Sequence, residues 1–317
     1  MNLFNRAIRI FLIIAGIVGG AIAAASWFFS RIILAPPRSP VMAPQGDTPL
    51  ESVQFPAAQD GVRVAGWYMP QARGEKAPVM ILVHGWPWNR TGENRQDWIG
   101  RMIKAKHVDL LSLAKVFHQD GYGVLMFDLR NHGESASVAG GISFGVMESL
   151  DLLGAINYLG TRGDVDMDRI GVAGFSMGAN TAIFAANQTD QIKAIAAIQP
   201  TSPMTFARRF AQYLAGPFGQ PILFMANLWV KIFGGTPLED VNLNEAANKA
   251  GNTPILYIQA SGDQFGSVED VQSMAAATPH LVDIIVAANT SNRYDGYLYA
   301  IDNPEILRSY FGEYLKK

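Results

Sequence analysis

The stretch VAGFSMG (172–178) holds a Gly-x-Ser-x-Gly pentapeptide directly after an apolar run. A serine so placed is a candidate nucleophile for acyl transfer, since flanking glycines permit the sharp strand-to-helix turn that lifts the hydroxyl. IGVAG before it reads as a strand and MGANTAIFAAN after it as a helix. Ser176 would then stand at a strand's carboxyl end, beside a helix N-terminus whose dipole favours an oxyanion. A serine nucleophile needs an acid-supported base. Asp263, after the apolar run ILYIQA, is the candidate acid. Its plain alternative is a turn or capping aspartate, which Ser-Gly-Asp also suits. Asp270 falls inside the following helical pattern and is the weaker choice.

The elements that must position these residues are legible as alternation. SVQF and VRVAGWYM suggest an opening strand pair. VMILVH (79–84), GVLMFD (123–128), IGVAG (170–174), IKAIAAI (192–198), ILYIQA (255–260) and LVDIIVA (281–287) read as buried strands. Helical patterns cover 109–120, 146–159, 177–187, 267–277 and 304–315. Strand–helix alternation predicts an α/β fold, a mostly parallel sheet with helices on both faces. Residues 200–250 interrupt it with a Phe-, Leu-, Met- and Trp-rich segment, expected to be a helical lid over a pocket. Extra core helices or a membrane-apposed surface are the alternatives.

DGVRVAGWYMP, VMILVHGW, GYGVLMFDLRNHGES, VDMDRIGVAGFSMG and PILYIQASGDQFGSVEDV occur in this order. With them the chain resembles the α/β-hydrolase superfamily, in its bacterial serine-aminopeptidase-like and esterase-like branch. The resemblance covers most of residues 52–275. It implies that the turn after His84 shapes an oxyanion hole whose donors are the backbone amides of Trp86 and Met177. It also implies that His84 is a turn residue, not the base, and that Asp128, Arg130 and His132 form a loop beside the site. Trp86, Trp88 and the aromatic lid suggest an apolar acyl group. His84, Trp88 and Phe175 are the expected substrate-pocket residues, with packing beside the turn as the plain alternative for the tryptophans.

In that fold the histidine base follows the last strand. Here Leu281–Lys317 contains no histidine. Spacing to the final helix puts the empty position near Arg293 or Tyr294, with Tyr294 preferred; counting from the strand puts it near Asn289. His280 precedes a strand of about 20 Å, so it belongs at the opposite sheet edge. His107 and His118 read as solvated surface residues. His132 is the one remaining substitute. Three accounts follow: a serine hydrolase with an unconventional base, a fold retained for binding or scaffolding without efficient catalysis, or a hydrolase in a variant form. In subtilisin, loss of the histidine costs on the order of a million-fold in turnover.

The 317 residues carry a net charge of −2 and no cysteine. Nucleic-acid binding is therefore not expected, and disulfides, thiolate metal sites and a cysteine nucleophile are excluded. No dinucleotide fingerprint or metal-ligand spacing is present, so no cofactor and no metal are expected. Ile10–Phe29 is uncharged and flanked by Arg6, Arg9 and Arg31. It is long enough for a bilayer, and the expected division is a basic tail (1–9), a transmembrane anchor (10–34), a Pro-rich linker (35–50) and a hydrolase domain (51–317). A signal peptide cleaved at Ala23-Ala24-Ala25 and a buried helix are the alternatives. The linker should lift the domain off the bilayer, on the extracytoplasmic side if the short basic tail stays inside. Gly16, Gly20 and Ala24 form a small-residue row that could pair two anchors in a homodimer.

Overall fold

The structure is a computed structural model and describes residues 3–42, 49–71, 76–93 and 98–315. One sheet contains β1 (Glu51–Pro56), β2 (Arg63–Met69), β3 (Ala77–Val83), β4 (Gly123–Phe127), β5 (Val165–Phe175), β6 (Ile192–Ile198), β7 (Ile255–Ala260) and β8 (Leu281–Ala287). Their spatial order is β1-β2-β4-β3-β5-β6-β7-β8. β2 runs antiparallel to β1 and β4, and every other neighbouring pair is parallel. All the strands expected from the apolar runs are present. β6 and β7 are apolar along nearly their whole length because helices cover both faces.

Two apolar layers sandwich the sheet. On one side lie α3 (Glu148–Gly160), α4 (Met177–Ala186), α7 (Leu243–Asn248) and α8 (Val268–Ala277); on the other lie α2 (Leu110–Gln119), α9 (Arg293–Asp302) and α10 (Pro304–Leu315). The predicted helices agree closely with α2, α3, α4, α8 and α10. α9 was expected to be loop. Its start is set by a capping box in which Asn292 and Asp295 satisfy each other's backbone amides.

Residues 200–250 divide in two. α5 (Pro203–Ala215) and α6 (Gly219–Ile232) stand off the sheet above the carboxyl ends of the strands. α7, by contrast, buries Leu243, Ala246 and Ala247 in the main core and is an ordinary crossover helix. Asp270 accepts hydrogen bonds from Ser202 N and Oγ at 2.8 and 2.9 Å, which ties the start of α5 to α8.

The N-terminal helix α1 (Leu3–Leu34) is long and apolar enough to cross a membrane. Residues 4–21 are exposed, but from Ser26 onward the helix packs on the lid. Trp27 lies edge-on to Trp229 and Phe233 at 5.5 and 5.4 Å, and Phe29 contacts Phe210 at 6.4 Å. Ile142 N–H donates to Ile33 O at 3.0 Å. The expected spacer is therefore corrected over its described part. Arg38 donates to Gly133 O and Ser135 O, Ser39 Oγ to Pro87 O, and Asn89 to Ser39 O and Pro40 O, so residues 38–40 lie pinned along the domain. Residues 43–48 lie outside the described part.

Candidate active site

Ser176 joins β5 to α4 with φ 53° and ψ −115°. This backbone conformation is unfavourable for a residue with a Cβ and is held by its surroundings. A Cβ on Gly178 would strike the Val83 and His84 carbonyl oxygens, and one on Gly174 the Gly178 carbonyl. Glycine at both positions lets the elbow close. Ser176 N–H donates to Ile198 O at 2.9 Å, fixing the elbow to β6. The Trp86 and Met177 amides have no backbone partner among the described residues. Trp86 and Met177 line the same cavity as Ser176, where two such donors suit a developing oxyanion.

The side chain that meets Ser176 is Arg293. Its Nη2 donates to Ser176 Oγ at 3.2 Å and to Gln199 O at 2.5 Å. Its Nη1 donates to Asp263 Oδ2 at 2.5 Å and Thr201 Oγ1 at 2.8 Å, and its Nε to Tyr297 Oη at 2.6 Å. All five guanidinium N–H groups thus have partners. Asp263 is completed by Phe265 N and Gly266 N, both at 2.8 Å to Oδ1, and by Gln259 Nε2 at 3.2 Å to Oδ2. Asp263 and Arg293 are both buried. Burial works against the guanidinium charge, yet neighbouring Asp263 and Tyr297 hold its pKa above the ordinary arginine value. Arg293 is therefore a permanent cation and a donor, with no lone pair to take the Ser176 proton.

The proposed base positions are corrected by this geometry. Tyr294, one residue further along α9, also lines the Ser176 cavity, but its ring packs on Trp88 (centroids 6.1 Å) while Arg293 takes the hydrogen bonds to Ser176 and Asp263. Burial pushes the Tyr294 phenol well above the ordinary tyrosine pKa, so a phenolate is disfavoured at neutral pH. Asn289 is exposed in the loop before α9 and does not line the cavity. His132 is fully buried, shares a hydrogen bond with Arg130 O at 2.8 Å, packs on His84 at 5.2 Å, and does not line the Ser176 cavity.

His84 is occupied as a turn residue: its Nε2 accepts Leu129 N–H at 3.0 Å and its Nδ1 contacts Gly85 O at 2.8 Å. The substrate-pocket assignment of His84, Trp88 and Phe175 is also corrected. All three are buried behind the cavity wall, Trp88 being packed edge-on to Tyr297 at 4.8 Å. The cavity is lined instead by Trp86, Phe144, Asn180, Thr201, Phe206 and Phe265 beside the catalytic candidates. His280 pairs through its backbone with Ile255 at the opposite sheet edge. His107 is exposed, while His118 is half-buried with Nε2 3.0 Å from Pro70 O.

Sequence reasoning missed Gln199, Thr201 and Tyr297 as partners of the site. The signal for Tyr297 was available: it lies four residues after Arg293, on the same helical face. Gln199 and Thr201 follow β6, where the carboxyl edge of a parallel sheet collects site residues. Among the described residues no cluster of His, Asp and Glu could hold a metal ion.

The family model of the X-Pro dipeptidyl-peptidases (S15 family) matches residues 60–212. An uncharacterized protein of Mycobacterium tuberculosis is 28% identical over 183 residues, 58% of this chain and 58% of that protein. The chain thus spans about three fifths of that curated relative's length. The thiohydrolase aneE of Aspergillus aculeatus is 28% identical over 148 residues, covering 46% of this chain and 41% of its own. The esterase Pf2001 of Pyrococcus furiosus superposes with a TM-score of 0.64 at 23% identity, covering 90% of this chain and 97% of the esterase. Strand order, nucleophile turn and these matches agree on the fold: the chain has the mostly parallel, helix-flanked sheet of the α/β-hydrolases.

Proposed function

We propose that the chain is a membrane-anchored hydrolase of esterase or peptidase type that binds an apolar acyl group at Ser176 and turns it over slowly. The observation that carries this reading is the Ser176–Arg293–Asp263 contact. It keeps the nucleophile turn and the acid and puts a cation where an imidazole would serve. The substrate carbonyl lies against the Trp86 and Met177 amides, its acyl group among Phe144, Phe206 and Phe265. Ser176 Oγ bonds to the carbonyl carbon as its proton passes to hydroxide or water. The leaving alcohol or amine departs with a proton, and water then cleaves the acyl-serine. Without a positioned base, the turn and the two amides support a residual of roughly a thousand- to ten-thousand-fold over water. The name of the thiohydrolase relative and the esterase-like fold support acyl chemistry. The apolar reach of α1 supports anchoring, and the basic tail supports an extracytoplasmic domain.

The test uses the full chain in detergent micelles, a fluorophosphonate probe and p-nitrophenyl butyrate, with Ser176→Ala as control. Slow labelling and slow ester cleavage, both lost in Ser176→Ala, are expected. Neither activity, with a non-hydrolysable acyl ketone still bound, favours the second reading of an acyl-binding protein. The engaged Arg293 speaks for that reading too.

A further inference from the structure

An apolar chamber adjoins the Ser176 cavity, and one of its walls is α1. Phe29, Ile32 and Ile33 face Phe210 and Leu214 of α5 and Ile222 of α6, and among the described residues no charged side chain lines the space. Trp86, Phe144, Pro203 and Phe206 line both this chamber and the Ser176 cavity, so the two are continuous. The helix that reaches the membrane is thus also part of the pocket wall.

Helix length fixes how deep the lid sits. A hydrocarbon core of about 30 Å takes about 20 helical residues at 1.5 Å each. Counted from the residue after Arg9, that stretch ends at Phe29. The free part alone, Ile10 to Ala25, would span only about 24 Å. Hydrocarbon must therefore extend to the turn where Trp27 packs on Trp229 and Phe233, which places α6 at the bilayer edge.

The composition of α6 fits that depth. Ile222, Ala226 and Val230 form its buried stripe. Phe224, Leu228 and Ile232, also spaced by four, are exposed at 70%, 40% and 59%. A helix apolar on two faces is expected in an apolar surround rather than in water. Its one charge, Lys231, lies in the last turn, where a long stem can carry the ammonium to the interface.

We propose that α6 lies in the membrane surface and that the chamber takes the acyl chain of a bilayer lipid, drawn in laterally between α1 and the lid, with its carbonyl at Ser176. The ligand class is a long-chain acyl lipid resident in the membrane. The inference deepens the acyl-hydrolase reading and rests on it for the carbonyl's position, but its test needs no turnover.

The chain has no cysteine, so Leu228→Cys places one fluorophore on the exposed face of α6. The full-length protein is reconstituted in phosphatidylcholine nanodiscs with nitroxide-bearing lipids. Quenching by an acyl-chain nitroxide and protection from aqueous iodide are expected. Iodide quenching alone, or quenching by neither because another protein covers the stripe, overturns the proposal. The second arm uses a phosphatidylcholine with a diazirine in its acyl chain. Crosslinking to the wild type should fall by at least about tenfold in Ala226→Trp, which fills the chamber, as loss of roughly two buried methylenes would give. Leu214→Trp, which enters from a half-exposed position and needs little repacking, should do the same. Equal crosslinking in wild type and Leu214→Trp overturns the proposal. Loss of ester cleavage with crosslinking intact would instead overturn only the hydrolase reading.

Discussion

Arg293 donates to Ser176 Oγ at 3.2 Å and to Asp263 Oδ2 at 2.5 Å, so one cationic side chain bridges the candidate nucleophile and the candidate acid. The bridge has the connectivity of a serine–histidine–aspartate relay with the proton acceptor removed. A donor aimed at Ser176 Oγ occupies one of its two lone pairs and offers nothing to accept the hydroxyl proton.

Arg293→His should therefore raise the rate of ester cleavage by at least about a hundred-fold, a cautious share of the 10²–10⁴ that a positioned base supplies. The gain should disappear in Arg293→His/Ser176→Ala, since base and nucleophile act as a unit. Tyr294→His should give none, because Arg293 stays in place between Ser176 and Asp263 and keeps a histidine at 294 from joining them. Steady-state kinetics on the three variants decide it. An unchanged rate in Arg293→His would mean that an imidazole on α9 cannot span from Asp263 to Ser176.

The same bridge is a buried ion pair, and breaking one side of it leaves the other charge unpaired. Arg293→Ala should cost about 3–5 kcal/mol in urea unfolding. Arg293→Met with Asp263→Asn removes both charges and should recover a large part of that loss. If the double variant is as unstable as the single one, packing of the guanidinium on Phe206 and Tyr297 matters more than its charge.

Residual turnover should be driven by solvent hydroxide. The Tyr294 phenol is buried and raised well above its ordinary pKa, so it supplies no phenolate. The rate should climb roughly tenfold per pH unit from pH 7 to pH 9, without the inflection that a titrating general base produces. Tyr294→Phe should retain the profile. A plateau lost in that variant would restore the tyrosine as base.

The strands and most helices were legible because a parallel sheet covered on both faces demands unbroken Val- and Ile-rich runs, and Ser176 because Gly174 and Gly178 have no alternative at a closed elbow. Asp263 was legible from its place after β7. The occupant of the base position was not, because it depends on one residue of register. Spacing left Arg293 and Tyr294 open; both line the cavity, but it is Arg293 whose longer side chain reaches Ser176 and Asp263. The Trp88 assignment failed for a related reason: residues near an oxyanion turn alternate between cavity and core, and sequence does not say which side each takes. The docking of α1 on the lid was not legible either, since an apolar helix offers lipid and protein the same surface.

Acid should destabilise the domain partly through His84. Burial, with His132 second, lowers its pKa to about 3 from the ordinary 6.5. The unfolded chain binds this proton first as pH falls, so the stability from neutral His84 is complete above about pH 6.5 and is lost toward pH 3. His132 is shifted in the same direction, whereas Asp151, raised by burial to about 7, acts oppositely below that pH. The wild-type slope is thus a sum, and a substitution isolates one part. Gln can accept the Leu129 amide and donate to Gly85 O without titrating. His84→Gln should reduce the dependence of unfolding free energy on pH between 6 and 4 by up to about 1.4 kcal/mol per pH unit. Identical slopes would mean that His84 is protonated in the folded state.

If residues 35–50 were only a tether, removing everything before them would leave the domain intact. Instead Phe29, Ile32 and Ile33 close the apolar chamber and Ile33 O accepts the Ile142 amide. Deleting residues 1–34 should cost about 2–5 kcal/mol, from partly buried apolar side chains at 1.5–3 kcal/mol each when fully buried. It should also raise binding of a hydrophobic dye, because the lid's inner face is uncovered. Deleting residues 1–24 removes most of the exposed span and retains Ser26 and Ser30, whose hydroxyls bond back to Ala23 O and Trp27 O within the helix. The shorter deletion should keep nearly full stability, with at most the loss of the Ser26 bond. Thermal unfolding of the two truncations in the same detergent separates the cases: equal midpoints would mean that the docked half of α1 contributes nothing to the domain and that the chamber stands without it.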